Sequence, residues 1–438
     1  MEANIFLIAG LGFGDEGKGT TVDYLARRFD TSFVVRYNGG AQAAHNVVLP
    51  DGRHHTFSQF GSASFVPDVS TYLSRYVLVN PIALMNEDRH LRSIGIKNAM
   101  ERLFISGESL VTTPFHISAN RLKEINRGKN RHGSCGMGIG ETTSDALESG
   151  NDVIRFSDLY EPKVLSKKLN LLRDRKREEV SGFIKELNSE IAQKEITILE
   201  ENSVIQDCMN RFRALAFQVS IVGEDFLNKQ VLPKNKNVIF EGAQGVLLDE
   251  KYGTHPYTTW TDITFNNAFK LLKGSSRPVR KLGITRSYMT RHGAGPMPSE
   301  DPEFHFPESH NCLGEWQGRF RYGYLDLVLL RYSISILDGI DALCMTHMDK
   351  AGDKIICDSY SSGLFKIKNL KLTSCLEHQA GLTNLLYTMN PNLIRIPSEE
   401  FREFIFESLG MEISIESRGP THLDKSTHPY FRVDGESI

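Results

Sequence analysis

Ile5-Phe-Leu-Ile-Ala9 runs directly into Gly10-Leu-Gly12-Phe-Gly14-Asp15-Glu16-Gly17-Lys18-Gly19-Thr20. An apolar run that gives way to a glycine-rich turn predicts a buried strand ending in a loop that wraps an anion. Glycine lets backbone N–H groups approach phosphate oxygens closely, and Lys18 adds a point charge. Asp15 and Glu16 are unusual in such a place. Two carboxylates beside phosphates repel them unless they hold Mg2+ or take a proton from a substrate. The loop therefore reads as one built for chemistry as well as binding.

Two nucleotide patterns overlap in it. Residues 12–18 satisfy Gly-x-x-x-x-Gly-Lys, but Gly19 stands where the Mg2+-binding hydroxyl belongs and Thr20 comes one residue late. That departure counts against a plain P-loop GTPase. Residues 12–17 also satisfy Gly-x-Gly-x-x-Gly, which in a dinucleotide site expects an acid ending the next strand. Phe33-Val-Val-Arg-Tyr37 runs instead into Asn38-Gly39-Gly40. A nucleoside-triphosphate loop is favoured over a nicotinamide or flavin site.

The 438 residues suffice for one large α/β domain or two ordinary ones. A hydrophobic share of 40% with 24% charged residues is that of a soluble globular chain. The net charge of −3 gives no sign of a nucleic-acid groove. Six scattered cysteines without Cys-x-x-Cys spacing read as thiols of a reducing compartment, not as a disulfide framework or zinc site. The apolar start is expected to be a strand and not a signal peptide. No run approaches the roughly 20 apolar residues of a membrane span. A cytoplasmic protein is expected.

Short β-like runs recur at Ile5–Ala9, Phe33–Tyr37, Tyr76–Val79, Asn237–Phe240, Lys281–Ile284 and Ala342–Met345, each followed by a polar or glycine-rich loop. Helical periodicity lies between them, as in Thr20–Arg28 and Gly323–Ile336. The alternation predicts an α/β fold, a mostly parallel central sheet with helices on both faces and ligands beyond the strands' carboxyl ends. Residues 160–230 carry apolar positions at helical spacing among interleaved acids and bases, which predicts a helical insertion with a solvated face. Pro296–Pro307 reads as an irregular loop. The whole is expected to form one domain, 1–438.

Five more loops offer chemistry. In Asn38–Asn46, His45 is the sole titratable side chain. Arg131–Gly140 packs four glycines into eight positions and reads as a mobile or anion-wrapping segment. After Phe240-Glu241, Gln244 offers an amide suited to a purine edge. Arg319 and Arg321, flanked by glycines, suit forked recognition of carboxylate or phosphate. Asp349, in Thr346-His-Met-Asp349, can accept two hydrogen bonds from guanine.

Together the motifs Gly14-Asp-Glu-Gly-Lys-Gly19, Val35-Arg-Tyr-Asn-Gly-Gly40, Phe240-Glu-Gly-Ala-Gln-Gly-Val-Leu-Leu-Asp249, Gly253-Thr-His-Pro-Tyr257, Gly293-Ala-Gly-Pro296 and Gly323-Tyr-Leu-Asp326 resemble the adenylosuccinate synthetase family, in order from about residue 5 to Pro420. The resemblance is weak across the helical insertion and across 355–400. It implies a homodimeric ligase that condenses IMP with L-aspartate, driven by GTP and Mg2+, through a 6-phosphoryl intermediate. It implies Asp15 as the base at purine N1, His45 as an acid in phosphoryl transfer, and Lys18 as a catalytic cation. GTP would meet Gly14, Glu16, Gly17, Lys18, Gly19, Thr20, Arg321, His347, Asp349, Ser417 and Gly419. The IMP side would take Asp15, Gln42, Ser134, Cys135, Gln244, Thr259 and Arg319. The amino acid would meet Glu315, Trp316, Gln317, Arg319 and Arg321, and Mg2+ would meet Asp15 and Ala44.

Departures gather in the substrate loops. Ala41, Gln42 and Ala44 replace His, Asn and Gly of the family loop. Ser134-Cys135 replaces a Thr pair, Met137 an Arg, Trp316 and Gln317 two threonines, and His347 a Lys. Glu148-Ser149 stand about where a partner subunit's Arg would come from. Asp15, Lys18 and His45 remain. The pattern leaves open a ligase acting on another purine nucleotide, deoxy or 2-amino, or on another amine, and a non-catalytic nucleotide-binding paralogue. Asp15 itself favours a hypoxanthine-like ring, because the phage branch acting on dGMP tends to have Ser there. No nucleic-acid or membrane partner is expected.

Overall fold

The computed structural model describes residues 3–234, 236–307, 316–350, 352–363, 365–429 and 431. β1 (Ile5–Gly10) lies in the middle of a ten-stranded sheet, buried along its whole length. It pairs in parallel with Asn237–Gly245 on one side and Val279–Arg286 on the other. Beyond the first neighbour come β2 (Thr31–Arg36), Ser70–Leu73, Leu103–Ser106 and Ser220–Val222; beyond the second come Ala342–Thr346, Ile413–Ser417 and Lys425–Thr427. All pairings are parallel except the last.

A strand with neighbours on both sides and helices on both faces must be apolar at every position. Its side chains alternate between two cores. Ile5, Leu7 and Ala9 join one core with Phe33, Val35, Val238, Phe240 and the helix Leu327–Ile336. Phe6 and Ile8 join the opposite core with Val34, Ile239 and Val22, Leu25 and Ala26 of α1 (Lys18–Arg28). A third core joins Leu73, Leu103 and Ile105 of the edge strands to the helices Pro162–Val180, Glu190–Glu200 and Asn202–Ala216. Among the described residues no helix is long and apolar enough to cross a membrane.

Three expectations are corrected, and one feature was not foreseen. Tyr76–Val79 is not a sheet strand; Ser70–Leu73 is, because it finds partners on both sides in β2 and Leu103–Ser106. Partner availability outweighs local propensity in a sheet. Gly323–Asp326 belongs to the strand Phe320–Asp326 paired with Tyr288–His292, so helix begins only at Leu327. Residues 160–230 are not helical throughout, since Ser220–Val222 is the large sheet's outermost strand. A second sheet, built from Tyr288–His292, Phe320–Asp326, Lys354–Ser362, Phe365–Ile367 and Asn390–Ile396, escaped the sequence pattern altogether.

The Asp326 side chain explains the late helix start. It accepts from the N–H groups of Val328 and Leu329, each at 3.0 Å, and from Tyr360 Oη at 2.7 Å. Asp326→Ala removes a buried helix cap and orphans a buried hydroxyl, so a loss of about 2–4 kcal/mol of unfolding free energy is expected in urea titrations.

Candidate active site

At the carboxyl ends of the parallel strands the loops enclose a cleft of about 980 Å3. Gly17, at φ 94°, starts α1, whose first turn carries no acid, so its free N–H groups favour an anion. Glu16, read from the sequence as a GTP contact, does not line the cleft and turns beneath the loop. One oxygen accepts from Gly12 N at 3.0 Å and Gly14 N at 2.8 Å, and the other takes Lys18 Nζ at 2.6 Å. The carboxylate thus shapes the turn from below, and Lys18 reaches the cleft wall with its charge partly answered.

Asp15 is held in the left-handed region, at φ 61°. Its carbonyl accepts from Arg286 Nε at 2.6 Å, and its carboxylate lies 3.3 Å from His292 Nε2. Burial by itself would raise the carboxyl. The His292 hydrogen bond and the charges of His292, Arg286 and Lys18 outweigh it and hold Asp15 below the usual carboxylate range. Asp15 is therefore an ionised acceptor, competent to take a proton. Gln244 (φ 57°) and His347 (φ 58°) share this uncommon backbone conformation and also line the cleft. Strain gathered around one cavity is a mark of function.

His45 faces the loop from the short strand His45–Val48. A Cβ on Gly19 would come within 2.8 Å of His45 Cβ, so the hydroxyl residue of an ordinary P-loop has no room there. His45 Nδ1 meets Glu241 Oε1 at 2.6 Å, and Glu241 also accepts from Ser62 N at 2.9 Å and from the Ser62 hydroxyl. Burial lowers the imidazole despite its carboxylate partner, so its resting form is neutral. With Nδ1–H given to Glu241, Nε2 is the nitrogen left for ligand chemistry. Burial opposes ionisation of Glu241, but Arg36, His45 and Ser62 bring it down to about 2.

Asn38 ties these loops together, accepting from Ala243 N at 2.7 Å and donating to the Asp262 carbonyl at 3.1 Å. Beside it the amides of Gln42 and Gln244 line the cleft with both polar atoms buried and, among the described residues, unpartnered. Buried polar groups without partners mark a place where a ligand completes the bonding. Ala44, Ser134, Cys135 and Thr259 line the same cavity.

Thr20, His347, Asp349, Ser417 and Gly419 form its other end. His347 is brought down to about 2 by burial and the charges of Arg286, Lys350 and Lys425, so its ring is neutral. Arg321 points elsewhere: it pairs with Glu300 and donates to the Gly293 and Gly295 carbonyls at 2.9 and 2.8 Å. Arg319 is exposed, and neither it nor Trp316 lines the cleft, whereas Gln317 does. Glu315 lies outside the described residues.

Sequence reasoning missed Glu241, Arg286, Arg291 and His292. Only Glu241 carried a signal, a carboxylate inside a buried strand, which demands a partner. Arg291, 2% exposed at the cleft wall, stacks on Phe13 at 4.2 Å and is brought down to about 9 by burial and by Arg321. Among the described residues no cluster of three or more acidic, His or Cys side chains forms a self-sufficient metal site. Asp15 and Ala44, the residues expected to meet Mg2+, both line the cleft, and so small a set of protein donors suits an ion that keeps waters and shares substrate phosphates.

The sequence family described as adenylosuccinate synthetase matches residues 7–390. The adenylosuccinate synthetase of Buchnera aphidicola subsp. Schizaphis graminum is 34% identical over 376 residues, 82% of this chain and 81% of its own. That of Clostridium novyi is 34% identical over 364 residues, 81% of each chain. A fully ligated adenylosuccinate synthetase from Plasmodium falciparum superposes with a TM-score of 0.77 at 21% identity, covering 97% of this chain and 100% of that one. The succinoaminodeoxyadenylate synthetase of cyanophage S-2L, bound to dGMP and dATP, gives 0.57 at 15% identity, with coverages of 98% and 96%. At these identities the two solved structures speak for the fold.

Gly19→Ser is expected to overpack the loop against His45 and cost about 1–3 kcal/mol of stability, read by urea unfolding. The depressed Glu241 carboxyl contributes stability that is present above its unfolded value, near pH 4.3, and lost as pH falls toward about 2. Glu241→Gln is expected to flatten the loss of unfolding free energy across that window.

Proposed function

The chain belongs to the adenylosuccinate synthetase family, and on that footing we propose that it condenses IMP with L-aspartate, consuming GTP with Mg2+ and releasing adenylosuccinate, GDP and phosphate. The observation that carries the reading is the ionised Asp15 carboxylate on the wall of a cavity that the orphaned amides of Gln42 and Gln244 and a neutral His45 also line.

The oxygen at C6 of hypoxanthine is a poor leaving group. Asp15 takes the proton from N1, which pushes electron density onto O6 and makes it a nucleophile toward the γ-phosphorus of GTP. His45, neutral at rest, takes up a proton at Nε2 as phosphate charge enters beside it and then donates that proton as charge develops on the transferring group, with Glu241 stabilising the imidazolium from Nδ1. Lys18 and the amides at the start of α1 hold the phosphates; Asp15 and Ala44 are the residues that would hold Mg2+, which when bound would supply charge neutralisation at the phosphates. The amine of aspartate then displaces phosphate from C6. Gln42, Ser134, Cys135, Gln244 and Thr259 are assigned to IMP, and Arg319, exposed off the cleft, would have to swing inward to join them. Gly14, Gly17, Gly19, Thr20, His347, Asp349, Ser417 and Gly419 are assigned to GTP. Gln317 and, once released from Glu300, Arg321 are assigned to the amino acid. The buried position of Glu16 supports a brace for the loop over a contact to GTP. The same reading gives a homodimer at work in the cytoplasm, its chain acting as one domain with a helical flank.

Phosphate release is expected only when IMP, L-aspartate, GTP and Mg2+ are all present, with a nucleotide succinate as coproduct in mass spectrometry. Release without IMP, or no succinate adduct with all four, overturns the assignment. Asp15→Asn is expected to lower turnover by about 10^2–10^4, the usual worth of a positioned base.

A further inference from the structure

Trp316 is one of two tryptophans in the chain, and the chemistry above leaves its indole unused. The ring lies on Gly136, where a Cβ would come within 2.7 Å of Trp316 Cγ. Gly136 has φ 67°, so both its backbone and its missing side chain serve this contact. Two guanidiniums flank the ring, Arg121 at 5.3 Å and Arg131 at 6.0 Å from its centroid. Arg121 is itself fixed, by Nε to the Gly136 carbonyl at 3.0 Å and by Nη1 to Glu195 Oε1 at 2.7 Å. Glu195, on the helix Glu190–Glu200, also accepts from Ser118 Oγ at 2.7 Å. The indole thus has a prepared seat, with a glycine floor and cationic walls that its ring quadrupole attracts.

The seat joins two walls of the cleft. His132, Gly133, Ser134 and Cys135 line one, and Gln317, the residue after the indole, lines the other. The first wall has ties of its own, through Asn120 to Ser134 Oγ at 3.1 Å and Arg121 to Gly136. Trp316, next in the chain to Gln317, packs its own loop against that wall at Gly136.

We propose that Trp316 is a positioning residue for the amine half of the reaction: seated on Gly136 between Arg121 and Arg131, it fixes Gln317 at the spacing from the nucleotide wall at which the amino-acid substrate is held. The inference rests on the ligase reading above. It explains why the bulkiest side chain of this loop stands behind the cavity wall: the ring acts through its neighbour and not on substrate.

The full chain is assayed with IMP, L-aspartate, GTP and Mg2+ as wild type, Trp316→Ala, Trp316→Phe and Arg121→Gln. Trp316→Ala is expected to raise KM for aspartate about tenfold, the scale of losing a well-seated cation–π contact. KM for IMP and Tm of Trp316→Ala should stay near wild type, Trp316→Phe should recover most of the loss, and Arg121→Gln added to Trp316→Ala should raise KM for aspartate no further. An unchanged aspartate KM in Trp316→Ala, or equal rises for aspartate and IMP, overturns the proposal. A second readout does not depend on turnover. With Trp260→Phe leaving Trp316 as the sole indole, acrylamide quenching is expected to increase when Arg121→Gln is added; equal quenching refutes the seat. A wild-type chain that makes no product refutes the reaction reading, and the quenching comparison then decides the seat alone.

Discussion

The site depends on a buried carboxylate that has no part in the proposed chemistry. Glu16 draws two backbone N–H groups and the Lys18 ammonium to one point beneath the first loop. A buried acid without such partners would cost several kcal/mol; with them it fixes the path of the turn. That path sets Gly17 at the start of α1, turns Asp15 outward and leaves Lys18 at the cleft wall. The two adjacent acids of the loop thus divide the work, one as mortar and one as reagent.

A second buried carboxylate repeats the arrangement across the sheet. Glu241 comes from the strand beside β1, and His45 from a short strand that begins at the cleft. Their bond joins residues 196 apart and presses His45 against Gly19, which explains the glycine where nucleotide loops of the ordinary kind carry a hydroxyl. The cleft therefore trades a loop hydroxyl for an imidazole. In the proposed phosphoryl transfer that would exchange a metal contact for a proton donor.

Around this rigid centre the recognition surfaces are less committed. Arg321 rests on Glu300, and the amides of Gln42 and Gln244 wait without partners. Reactive groups locked by buried ion pairs, with binding groups held by weaker or missing contacts, are what a site that closes on several ligands requires. Of the departures from the family pattern read in the sequence, Gln42 falls in that looser shell, while the retained Lys18 and His45 lie in the locked one.

Much of this was legible in the residues. The run Ile5–Ala9 ahead of glycines announced a buried strand and the glycine turn that opens α1, and the alternation of apolar runs with helical periods announced the α/β class, because both signals act over a few neighbouring residues. Six ordered motifs sufficed for the family. The direction of Glu16, the identity of Ser70–Leu73 as a strand in place of Tyr76–Val79, the second sheet and the His45–Glu241 bond were not legible. Each depends on which strand lies beside which, and sheet order is settled by packing among segments hundreds of residues apart, where local propensity has no reach.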